Sequence, residues 1–155
     1  MNSQSTTMKF QAELLFDEYK KVRHVDLTLQ QFTYLLNLYP ALIVCMSDGV
    51  LDKEEWESVD KLAKGLTLQF SDDMEGEEVA KMEQKFRTEF MYLLENIEKW
   101  QKKFLNALKS HIEDSKLDKE FVLESMYLFA NAADGISQVE QDAIDMLSER
   151  LSLNY

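Results

Sequence analysis

The sequence predicts an all-α protein, a compact bundle of about six to eight helices, and three observations lead there. Proline and glycine are scarce, 1 and 4 in 155 residues, so few positions break or bend a helix. Apolar residues recur at steps of three and four along most of the chain. One unit, helix–(Asp-Gly)–helix, occurs twice. A chain of this length can bury the core of one domain, residues 8–155, without disulfides or metal as staples.

The polar segment MNSQSTT, residues 1–7, reads as a flexible end and lacks the pattern of a secretory signal. Phe10, Leu14, Leu15, Tyr19 and Val22 then share one helical face, predicting a first helix over 8–22. Thr28 and Gln31 form a T-x-x-Q capping box that opens a second helix running to Ser47. This helix is apolar nearly all round, which places it inside the bundle, and Pro40 is expected to kink it. Asp48-Gly49 follows, and Asp52 with Glu55 signals a new helix start. That helix carries Trp56, Val59, Leu62 and Ala63 inward and ends at Gly65 as its C-cap. After an acidic loop over 71–78, apolar residues continue from Val79 to Leu108. They describe one very long helix or two that break near Glu95 to Glu98, where no Gly or Pro marks the place. A further helix, apolar on most sides, is expected over 118–133, and a last one over 138–151.

Aligning Asp52 with Ser137 brings the two units into register. Glu55 matches Glu140, Asp60 matches Asp145, and LTLQF at 66–70 matches LSLNY at 151–155. Repeat one spans about 28–70, inserted helices 71–116 and repeat two 117–155. The apolar first helices of the two repeats are expected to pair at the centre.

Formal charge is −12, from 29 acidic against 17 basic residues. Such a surface repels phosphate backbones and anionic headgroups, which argues against nucleic acid and suits cations or a basic protein partner. The longest apolar stretch, residues 35–46, is too short to cross a bilayer, so direct membrane insertion is not expected. Cys45, the sole cysteine, lies in that stretch as a buried thiol, which fits a reducing, cytoplasmic setting. His24 and His111 have no cysteine companions to make a zinc site. No nucleophile elbow, Walker loop or dinucleotide fingerprint occurs, so no enzymatic activity is expected.

The hinges hold the remaining chemistry. Glycine there supplies a positive φ where the chain turns. The acid beside it, Asp48 or Asp134, stands at a helix C-terminus, where the macrodipole disfavours a carboxylate. Two arrangements offset this. The carboxylates accept local backbone N–H bonds, or Asp48, Asp52 and Glu55 in one hinge and Asp134 and Glu140 in the other bind a cation. Their hard oxygens would select Ca²⁺, Mg²⁺ or Mn²⁺. The E at the third helical position is equally explained by reciprocal capping.

MSDGVLDKEEWESVDKL and NAADGISQVEQDAIDML, read together, resemble the tellurite-resistance TerB-like family. The resemblance implies a bacterial helical bundle tied to tellurite resistance and stress response. It also implies a cation-binding acidic surface and protein partners, some membrane-associated. The family's acidic positions carry over to Asp48, Glu55, Asp134 and Glu140. The chain departs from the pattern twice: the second hinge is one residue shorter, and Ser137 stands where repeat one has Asp52. The alternative expectation is a helical protein–protein interaction module whose hinges are purely structural.

Overall fold

The computed structural model describes residues 3–47, 53–130 and 135–153. Those residues form an all-α bundle of seven helices: α1 (Ser3–Arg23), α2 (Leu29–Cys45), α3 (Lys53–Leu68), α4 (Gly76–Glu95), α5 (Ile97–Ile112), α6 (Lys116–Ala130) and α7 (Gln138–Arg150).

α2 is the axis of the molecule. Thr28 Oγ1 accepts the Gln31 N–H and Gln31 Oε1 accepts the Thr28 N–H, both at 3.1 Å, so the capping box starts the helix as read. Every residue from Leu35 to Cys45 is buried, with Pro40 inside the continuous helix. α6 is its most extensive neighbour, so the first helices of the two repeats do pair at the centre. An aromatic cluster fills the space between α1, α2 and α5. Tyr39 lies 4.6 Å from Phe104, Phe16 lies 4.9 Å from Phe32, and Tyr19 meets Trp100 edge-on at 5.2 Å. Such ring pairs add to the burial of the rings themselves.

Several expectations are corrected. α1 begins at Ser3, so most of the segment expected to be a flexible end is helical. Its inward face is Ala12, Leu15, Phe16 and Tyr19, while Leu14 and Val22 are exposed. α3 runs through Gly65 to Leu68, so Gly65 is a helix-interior residue and not a cap. Of the two alternatives for the long apolar stretch, the structure has two helices, and the break falls inside the expected 95–98 at Asn96, whose φ of −127° and ψ of 36° leave the helical region. Asn96 Nδ2 donates to the Tyr92 carbonyl at 2.8 Å, the local side-chain bond by which Asn competes with helix continuation. α5 then packs chiefly on α1, and α4 chiefly on α3.

The two repeats are not used alike. α7 lies against both α6 and α2, whereas α3 is drawn onto α4 and makes no comparable contact with α6. Asp60 accepts from Arg87 of α4 at 2.7 Å, while the matching Asp145 accepts from Gln141 of its own helix at 2.9 Å. The helix ends differ as well. α7 stops at Leu151, with Ser152 in the left-handed region and the Leu153 N–H returning to the Ser148 carbonyl at 2.9 Å. This is the geometry of a Schellman-type stop. In repeat one the equivalent Leu66 is still helical.

Candidate functional site

At the second hinge, Gly135 has φ +93°, the conformation for which glycine was expected there. Ser137 Oγ accepts the Glu140 N–H at 3.1 Å and Glu140 Oε1 accepts the Ser137 N–H at 3.0 Å. Glu140 thus closes a capping box. Asp48, Asp52 and Asp134 lie outside the described residues, as does the side chain of Glu55, which stands in the first turn of α3. Among the described residues, no three His, Cys, Asp or Glu side chains gather as a metal site. No helix among them is long and apolar enough to cross a membrane.

A different place gathers more chemistry. Because α3 leans on α4 and not on α6, a groove of about 1130 Å³ opens between α3 and α6, with α2 as its floor. Leu62 and Leu66 form the α3 wall, Phe121, Leu128 and Phe129 the α6 wall, and Leu29, Tyr34 and Leu38 the floor. Tyr34 meets Phe121 edge-on at 6.5 Å and Phe70 at 5.3 Å. Leu128 is 71% exposed and Leu117, one turn before Phe121 on α6, is 79% exposed. Apolar side chains contiguous with a groove are a mark of binding surfaces.

Two features of the groove run against ordinary packing. Asn37 borders it at 7% exposure, and its Oδ1 is buried with no hydrogen-bond partner. Leaving such a group unpaired costs about 1–3 kcal/mol. Gly65 stands in the α3 wall, and a Cβ placed on it would meet nothing within 4 Å. Neither a close contact nor a left-handed backbone requires glycine there, although glycine weakens a helix interior by roughly 0.5–1 kcal/mol relative to alanine. Charge on the groove is uneven: Asp118 and Glu124 stand on α6, Lys61 on α3 and His111 on α5.

A second buried polar cluster is fully paired. Glu89 of α4 is 3% exposed and accepts from the Tyr19 hydroxyl at 2.7 Å and from Arg23 at 2.9 and 3.0 Å. The Arg23 guanidinium lies over the Tyr92 ring at 3.9 Å, and Tyr92 in turn accepts from Trp100 Nε1 at 2.8 Å. Burial, then the Glu89 carboxylate, hold the Tyr19 phenol far above its ordinary range, and Arg23 is raised by the Glu89 hydrogen bonds. With every partner supplied from within, this cluster clamps α1 to α4.

Nothing local in the sequence marks the groove as a site: Asn37 stands out only as the one carboxamide inside the apolar run Leu35–Cys45, and Gly65 reads locally as a helix end although it lies inside α3. No family model, curated protein or solved structure matches the chain.

Proposed function

We propose that this protein is a non-catalytic helical interaction module that binds its partner in the groove between α3 and α6. The observation that carries this is an open apolar groove bordered by Asn37, whose buried Oδ1 has no hydrogen-bond partner. A partner in the groove would cover the exposed apolar side chains of α6 and offer the missing hydrogen bond. An uncharged solvatochromic dye tests the site. It is expected to brighten on the wild-type protein and on Met146→Ser, a change at an exposed position on α7. With Gly65→Phe, which projects a ring from the α3 wall, most of that signal should be lost. Equal dye binding by the Gly65→Phe variant would remove the groove as the site.

A second reading keeps the TerB-like resemblance. Support for it comes from the central pairing of α2 with α6, the positive φ of Gly135 and the Ser137 capping box, which build repeat two as the motif requires. In that reading the protein is a stress-response scaffold. Asp48, Asp52 and Glu55, with Asp134 and Glu140 in the second copy, hold Ca²⁺, Mg²⁺ or Mn²⁺. A ligand bound only by the folded state stabilises it by about 2.7 kcal/mol at a hundredfold excess over its Kd. Melting curves in each ion should therefore separate from the curve in chelator; coincident curves would end the cation proposal.

A further inference from the structure

Taking the groove as the binding site, we infer that its occupant is an amphipathic, basic α-helix of another protein, with a carboxamide side chain that pairs with Asn37. On α6, Phe121, Glu124 and Leu128 line the groove at steps of three and four, and exposed Leu117 stands four residues before Phe121, the spacing at which a helix packs alongside another helix. From Asp118 to Phe129 that wall runs roughly 16 Å at 1.5 Å per residue, the length of three helical turns. Gly65 on the opposite wall leaves unfilled space, which lets a helix backbone come close.

Asp118 and Glu124 stand on the wall that carries the apolar seam, in a chain of net charge −12. A second copy would bring the same negative field against these carboxylates, so self-association through the groove is opposed. Lysines or arginines flanking an apolar stripe would be attracted. Asn37 brings an unpaired Oδ1 to the groove. In helical assemblies a lone buried carboxamide at a seam position selects the partner and register that pair with it, since any other leaves it unsatisfied. A Gln on the incoming helix both donates and accepts, so it can meet either end of the Asn37 amide.

The test uses three labelled peptides of about 14 residues, four helical turns, and the full chain. The first has Leu at steps of four, three and four, Lys and Arg elsewhere, and one inner Gln. The second replaces that Gln by Leu, and the third replaces the basic residues by Glu. The first peptide should displace the dye from the groove, with affinity that falls as salt is raised. It should bind about fivefold tighter than its Leu twin, the scale of one net hydrogen bond. On Asn37→Leu that preference should vanish while both peptides still bind, and Gly65→Phe should weaken both. The acidic peptide should not displace the dye. If the dye occupies the groove yet neither basic peptide displaces it, or the acidic one does so equally well, the basic-helix occupant is wrong while the groove itself stands. A dye signal indifferent to Gly65→Phe would instead remove the site on which this inference rests.

Discussion

On the α1–α4 side of the molecule, the Glu89 carboxylate is buried and takes three hydrogen bonds; on the floor of the groove, the Asn37 carbonyl oxygen is buried and takes none. Both are polar groups removed from water, and both sit on helices whose buried faces are otherwise mostly apolar. The difference is where their partners come from. Glu89 is served from within by Tyr19 and Arg23, so its site is closed and its energetic role is to lock two helices together. Asn37 lies where the fold leaves a gap, so a partner from outside can reach it, whereas the Tyr39 hydroxyl, also unpaired, is fully buried in the core.

Glu89→Ala strands the Tyr19 hydroxyl and the Arg23 guanidinium at once, and loss of one partner from a buried ion pair costs about 3–5 kcal/mol. Arg23 is partly solvent-facing, so the expected loss lies near the lower figure. It should appear as a fall in the denaturant midpoint with an unchanged slope. Asn37→Leu is expected to act in the opposite direction. It replaces a side chain whose buried Oδ1 is unpaired by an apolar one with the same branching, facing a groove with room for it, and should raise stability by about 1–3 kcal/mol. If Asn37→Leu destabilised the fold as Glu89→Ala does, Asn37 would have a structural partner and the contrast between the two sites would be lost.

What could be read from the chain follows the range of the physics involved. Thr28 with Gln31 and Ser137 with Glu140 were legible because a capping box is written within four residues. Gly135 was legible because a tight turn needs its φ locally. The helix break at Asn96 was legible only as one of two alternatives, because Asn is tolerated in helices and its bond to the Tyr92 carbonyl, with α5 packed on α1, decides between them. Glu89 was invisible among 29 acidic residues, since its partners Tyr19 and Arg23 lie 70 and 66 positions away. The groove was hidden for the same reason. The apolar pattern of α6 says that several sides want cover, but only the lean of α3 toward α4 decides which side goes without.

The paired side also carries a pH dependence. Burial pushes the phenols of Tyr19 and Tyr39 well above their ordinary range, with Glu89 adding to the effect at Tyr19. A group raised in the folded state lends stability that is intact below its unfolded pKa of about 10 and is lost as pH rises beyond it. Each tyrosine should therefore remove about 1.4 kcal/mol by pH 11, where the unfolded chain ionises and the folded one does not. Unfolding titrations at pH 9 and pH 11 should show this loss reduced by one tyrosine's share in Tyr39→Phe. An equal loss in that variant would mean that Tyr39 ionises in the folded protein, and the core around Phe104 is then open to water.

The smallest expected effect sharpens the groove side. Gly65 lies in ordinary helical backbone in the middle of α3, with open space where a side chain would begin. Gly65→Ala should therefore stabilise the protein by roughly 0.5–1 kcal/mol, because it restricts the unfolded chain and meets no obstacle in the folded one. A single methyl is too small to occupy a groove of about 1130 Å³, so dye binding should persist in this variant and fail only with Gly65→Phe. Stability and binding would then part company at one position, which is what a wall kept open for a partner requires. A loss of stability on Gly65→Ala would instead show that α3 is closely packed at this point, leaving no room there for an incoming helix.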